Sequence, residues 1–243
     1  MWTGRWKGPS GFWHPLRPPQ SPVGSPDPRD PRDSPKSLVR LRGFASISPS
    51  NSNSISAMRL FIALNLPEEE RRQIREAAAP LREAGLPVRW IEDDVYHLTL
   101  KFLGQVRSET IPVVERVVRR VAASTRAFPI TVAGFGAFPT IRRPRVLWLG
   151  VEPTPALRCL KQDLEWGLAT HGFERETQAF HPHITLGRAG EGEGAGAFRG
   201  LDELAAGLDY SSTLEVATVD IMRSHISKQG ARYSLLESAP LKP

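Results

Sequence analysis

The chain has 243 residues, with 32 Lys+Arg against 26 Asp+Glu, 22 prolines and a single cysteine. No run of about 18 apolar residues occurs, which excludes a transmembrane helix, and one cysteine excludes an intramolecular disulfide or a multi-cysteine zinc site. The positive balance is local: residues 1–57 hold eight Lys+Arg and three Asp, whereas the rest holds 24 Lys+Arg and 23 Asp+Glu. A near-neutral body offers no general attraction for nucleic acid, so any affinity for phosphate must come from local placement.

Residues 1–57 contain ten of the prolines, followed by the polar tract Ser46–Ser54. They show neither helical nor strand periodicity and too little apolar surface to offset the entropy of ordering, which predicts a disordered extension. Met58 stands directly before the first fold-like residues. A translation start there is the accompanying expectation, with residues 58–243 as the working domain.

Arg59–Leu64 is a short apolar run, read as a buried strand. Pro67 and the acids Glu68–Glu70 open a helix whose stripe is Ile74, Ala78 and Leu81. Val88–Ile91 is a candidate edge strand, and Tyr96–Phe102 alternates cleanly up to Gly104. Ile111, Val114, Val117, Val118 and Val121 have helical spacing within residues 108–127, although β-branching weakens the signal. Strands follow at Ile130–Phe138 and Val146–Val151, separated by Pro139–Pro144. A helix after Pro153 carries Leu157, Leu160, Leu164 and Leu168, with Cys159 expected as a buried structural residue. A strand over residues 180–188, a glycine-rich loop at residues 190–196, a short helix at residues 201–208, and strands at Thr213–Ile221 and Tyr233–Leu236 complete the chain.

One pattern occurs twice: His97-Leu-Thr-Leu100 and His183-Ile-Thr-Leu186, 86 residues apart. In a strand, alternate side chains share a face, so each copy presents an imidazole and a hydroxyl together above a row of core residues. Arg59 and Arg145 share that offset of 86, as do Pro67 and Pro153, which start the two helices. An internal duplication is the favoured reading. It predicts an α+β fold of two pseudo-symmetric lobes, mainly antiparallel sheets flanked by helices, with an active-site cleft between the lobes.

Two opposed imidazoles suit proton transfer in both directions near neutral pH. The Thr99 and Thr185 hydroxyls would donate to oxygens that gain charge. Displacement at phosphorus fits this set and requires neither a metal nor another cofactor. His181, two residues before His183, gives a His-x-His spacing, but no carboxylate or cysteine set completes a metal site. It is left as a residue flanking the substrate or the rim. His14, His171 and His225 receive no role. Arg142, Arg143 and Arg145 form a basic turn, a contact for a nucleic-acid backbone or simply a solvated loop. Lys101, on the His97 face by strict alternation, is taken as solvated.

Residues 58–64, His97–Gly104, Arg145–Gly150 and Phe180–Arg188 resemble the two-histidine phosphoesterases, and more narrowly the RNA 2′,3′-cyclic phosphodiesterases, formerly named 2′-5′ RNA ligases. The likeness runs from Met58 to about the C-terminus. It implies that His97 donates a proton to the departing 3′ oxygen, that His183 accepts one from water, and that Thr99 and Thr185 hold the phosphate oxygens. Arg188 matches an arginine that often follows the second motif. Strict alternation turns it away from His183, so a phosphate-binding role needs a bulge near Gly187. The residues alone do not choose which histidine is the acid. The substrate implied is RNA with a 2′,3′-cyclic phosphate end, transfer RNA fragments included, met by a cytoplasmic monomer with no membrane partner. Reversible 2′-5′ ligation and a nucleotide- or RNA-binding module with little catalysis are the competing readings.

Overall fold

The computed structural model describes residues 57–190, 192–227 and 230–243. The extension expected over residues 1–57 lies outside them except for Ala57, which opens the first strand. The elements are β1 (Ala57–Asn65), α1 (Glu68–Ala77), α2 (Ala79–Glu83), β2 (Val88–Trp90), β3 (His97–Arg107), α3 (Ile111–Ser124), β4 (Phe128–Thr140) and β5 (Arg143–Val151), then α4 (Pro155–Ala169), β6 (His183–Ala189), α5 (Leu201–Ala206), β7 (Ser211–Val216), β8 (Thr218–Ser227) and β9 (Gly230–Pro240). All strand pairs are antiparallel. The architecture is α+β, as the alternation of elements implied.

Nine strands form one sheet in the order β7-β4-β5-β6-β3-β1-β8-β9, with β2 added beside β6. The two motif strands meet at the centre through a single residue pair, Leu98 opposite Ile184. Outward from that seam, each motif strand is flanked by the strand that precedes its helix, β1 on one side and β5 on the other. The order is therefore mirrored about the seam, as a duplication would leave it.

The repeat is not in one register throughout. The two motifs are 86 residues apart, but Ile62 opposes Lys101 where Leu147 opposes Gly187, and Ala63 opposes Thr99 where Trp148 opposes Thr185. By pairing, β1 maps onto β5 with an offset of 85. Aligning Arg59 with Arg145 is thus one residue out. A one-residue slip exchanges the faces of a strand; it would match core Ile62 with Trp148, which lies on the histidine side.

The chain itself requires the sheet to curl. Strand β7 ends at Val216 on one edge and β8 begins at Thr218 near the other, with only Ala217 between them. The expected single strand over Thr213–Ile221 is therefore two strands on opposite sides of the sheet. Leu241 donates its N–H to the Ala217 carbonyl (2.8 Å), and Ala127 and Lys242 are joined to Lys242 and Thr125 carbonyls respectively (both 2.8 Å), which sews the C-terminus to the start of β4.

Helices α3 and α4 cover one side of the sheet. Leu157, Leu160, Leu164 and Leu168 are fully buried, and join Val114, Val117, Val118 and Val121 with Leu98, Leu100, Ile184 and Leu186 in one core. Each such aliphatic side chain contributes about 1.5–3 kcal/mol on burial. The motif strands thus turn their leucines and isoleucine to the helices and keep the His and Thr on the other face. Thr154 caps α4 by accepting from the Leu157 N–H. The first predicted helix is split at Ala78 because Pro80 supplies no N–H and its ring crowds the preceding turn. Its stripe survives the break: Ile74, Ala78 and Leu81 are all buried. Cys159, expected to be buried, is exposed, since it falls on the outer face of α4 between the buried Leu157 and Leu160.

Candidate active site

Each motif strand carries a bulge immediately after its threonine. In β3 the register shifts between the partners of Thr99 and Lys101, and in β6 between those of Thr185 and Gly187. An extra residue reverses the later alternation. In β3, Leu100 and Lys101 both turn toward the helices and are buried, while Phe102 returns to the His97 face with 66% of its surface exposed. In β6, Leu186 and Gly187 are buried and exposed Arg188 returns to the His183 face. The bulge that Arg188 needed is present.

Lys101 therefore does not share the face of His97. Its Nζ donates to Glu165 Oε2 (2.6 Å) and to the Glu174 carbonyl (2.7 Å). The other Glu165 oxygen accepts from Lys161 (2.6 Å), which also reaches Glu176 (2.8 Å). Burial pushes the Glu165 carboxyl upward, but the hydrogen bonds from the two lysines outweigh it and hold the group below its ordinary value. This network fastens β3 to α4 and to the loop that leads to His181.

The two imidazoles are held alike. His97 Nδ1 lies 2.7 Å from the Val95 carbonyl, and His183 Nδ1 lies 2.7 Å from the His181 carbonyl. A carbonyl only accepts, so Nδ1 carries the proton in both rings and Nε2 is left for chemistry. The Thr99 hydroxyl stands 3.1 Å from His97 Nε2. Aromatic rings set both orientations: Phe61 and Tyr233 lie 4.9 and 5.3 Å from His97, and Phe138 and Trp148 lie 5.0 and 6.4 Å from His183. Trp148 can lie flat there because Gly136 leaves the space; a Cβ at Gly136 would come within 2.4 Å of the indole.

Burial pushes the His97 imidazole below its ordinary 6.5, against the Val95 carbonyl, and the neighbouring His183 lowers it further. Burial likewise lowers His183; the His181 carbonyl opposes this, and the charges of Arg188 and His181 add to it. The histidines thus lie within electrostatic reach of each other, and Arg188 lies within reach of His183. His181 is exposed, with its ring 6.3 Å from Phe138, and its carbonyl holds the His183 ring. Arg142, in the turn between β4 and β5, and Arg143 and Arg145, at the start of β5, are exposed. Among the described residues, no group of three or more His, Cys, Asp or Glu could hold a metal ion.

Residue order gave no warning of the aromatic walls, which come from β1, β4, β5 and β9. The two orienting carbonyls were equally silent, since every residue has one.

The 2′-5′ RNA ligase superfamily model matches residues 61–226. The chain belongs to that superfamily, the two-histidine phosphoesterases its motifs resemble. Curated relatives named RNA 2′,3′-cyclic phosphodiesterase include one from Thermotoga maritima, 42% identical over 132 residues (54% of this chain, 70% of the relative). One from Methanothermobacter thermautotrophicus is 31% identical over 185 residues (74% and 97%). Among solved structures, TT0787 of Thermus thermophilus is similar with a TM-score of 0.65 and 26% identity, covering 76% of this chain and 98% of its own. Escherichia coli LigT complexed with 3′-AMP is similar with a TM-score of 0.62 and 28% identity, covering 77% and 100%. No helix among the described residues is long and apolar enough to cross a membrane.

Proposed function

We propose that the protein hydrolyses the 2′,3′-cyclic phosphate at RNA ends to a 2′-phosphomonoester, with His97 as proton donor and His183 as proton acceptor. The observation that carries this reading is the matched pair of imidazoles, each fixed through Nδ1 by a carbonyl two residues earlier in the chain, which leaves Nε2 for proton transfer, that of His97 beside the Thr99 hydroxyl. His183 Nε2 removes a proton from water as the oxygen attacks phosphorus. The bond from phosphorus to the 3′ oxygen breaks, and His97 Nε2 delivers a proton to that oxygen. The Thr99 and Thr185 hydroxyls donate to the non-bridging oxygens as charge builds on them, and Arg188 adds positive charge beside them. The names of the relatives supply the substrate class; transfer RNA fragments are one source of such ends, and the protein acts on them as a cytoplasmic monomer.

The ground-state tautomers need one adjustment. A proton donor must carry hydrogen on Nε2, whereas burial favours neutral imidazoles in the free protein. The phosphate anion restores the imidazolium by placing negative charge beside it. Binding and protonation of His97 are therefore linked, and the acid is charged when substrate is present.

Product analysis tests the whole reading. A cyclic-phosphate-ended oligonucleotide should yield only the 2′-phosphate, at a rate unchanged by a chelator. A 3′-phosphate product, or loss of turnover on chelation, would overturn the mechanism.

A further inference from the structure

Outside the two His–Thr pairs, two arginines stand on adjacent strands in an arrangement that folding does not explain. Arg89 in β2 is directly opposite Arg188 in β6. Directly opposed residues of an antiparallel pair point to the same face, with Cβ atoms roughly 4.5–5.5 Å apart. That face is the His183 face. Val88 and Trp90, on either side of Arg89, lean over Gly187, where a Cβ would come within 2.5 and 3.0 Å of them. Arg89 therefore points the other way. Val146, the β5 partner of Arg188, shares that same side with Trp148.

Both arginines are exposed, and neither side chain has a hydrogen bond or an ion pair to the described residues. Like charges directly opposed in a sheet are destabilising. A pair of guanidinium groups on one face, with no carboxylate of the described residues paired to them, instead matches a phosphate, which such groups grip by paired hydrogen bonds. The placement relative to the histidines is also informative. Arg188 follows Thr185 by three residues, one taken up by the bulge, and so stands roughly 7–10 Å along the strand. Arg89 stands one strand further out, about 4.8 Å from β6. The pair thus extends from the reacting phosphate toward the next one.

We infer that Arg89 and Arg188 form a second phosphate site, which holds the phosphodiester one nucleotide upstream of the cyclic end. The inference rests on the proposed hydrolysis and adds a substrate preference to it: oligonucleotide ends over mononucleotides. Arg188 serves both phosphates, whereas Arg89 serves the upstream one.

The test compares wild type, Arg89→Gln and Arg89→Lys on a nucleoside 2′,3′-cyclic phosphate and on a dinucleotide with the same end. Arg89→Gln should lower kcat/KM for the dinucleotide about tenfold more than for the mononucleotide, and reduce the salt slope of dinucleotide binding by about one. Arg89→Lys should keep the slope, since the charge remains. Equal factors on the two substrates, or no change in slope, would overturn the site. Equilibrium binding of a trinucleotide ending in a 3′-phosphate reads the same site without turnover. A wild type that cleaves neither cyclic substrate overturns the hydrolysis reading alone, and equal trinucleotide affinity of wild type and Arg89→Gln overturns the Arg89 site alone.

Discussion

The halves around His97 and His183 begin with the same four-residue pattern and the same bulge, yet they diverge at the next two positions. At the bulge, Lys101 stands where the other half has Gly187; one step later, Phe102 stands where the other half has Arg188. Lys101 reaches under the sheet and ties β3 to α4 through Glu165. Gly187 has no side chain because β2 lies across it, with Val88 and Trp90 in the space. The first half spends its bulge on an internal anchor, and the second admits an extra strand that brings Arg89 to the site. The two motif strands thus keep the histidine and threonine in common and differ in what surrounds them: an exposed aromatic ring beside His97, positive charge beside His183.

The most drastic way to break the comparison is to remove each imidazole. His97→Ala and His183→Ala should each lower kcat/KM on cyclic-phosphate RNA by about 10²–10⁴-fold. A nucleoside 2′-(p-nitrophenyl phosphate) separates the roles, because its phenolate leaves without a proton. On that substrate His97→Ala should lose under about tenfold, and His183→Ala as much as before. The reverse pattern would exchange acid and base.

Next in size is the anchor. Lys101→Met leaves Glu165 buried with Lys161 as its remaining lysine partner, and removing one member of a buried pair costs about 3–5 kcal/mol. A loss near 3 kcal/mol is expected from urea denaturation, since part of the network survives. A change under about 0.5 kcal/mol would show that Lys101 is not structural. Gly187→Ala, the corresponding change in the other half, should cost about 1–3 kcal/mol by overpacking against β2.

The smallest effect is a displacement of the pH optimum. The proposed mechanism needs His97 charged and His183 neutral, and both are held below 6.5 in the free protein, chiefly by burial. The optimum of kcat/KM, which reports the free enzyme, should therefore lie below pH 6.5. Bound phosphate favours imidazolium and raises both values, so the optimum of kcat should lie higher. A kcat/KM optimum above 6.5 would contradict the lowering of both imidazoles by partial burial.

Much of this was legible in the residues. The paired His-x-Thr-Leu strands, the Pro-started helices and their leucine and valine stripes follow from alternation, helical period and proline chemistry, which are local. Positions past the threonines were not. Clean alternation through Tyr96–Phe102 placed Lys101 beside His97, whereas one extra residue in the ladder buries it. The run Thr213–Ile221 read as a single strand because nothing in its composition marks Ala217 as a crossing between sheet edges.

Sequence by itself determined which side chains carry the proposed proton transfer, that they come in a repeated pair, and the superfamily to which the chain belongs. Tertiary structure alone decided the faces beyond each bulge, the aromatic rings and carbonyls that orient the imidazoles, and the meeting of Arg89 with Arg188. The physical reason is that a side chain's type is carried by its own residue, whereas its direction after a bulge and its neighbours across strands depend on pairing with chain far away in sequence.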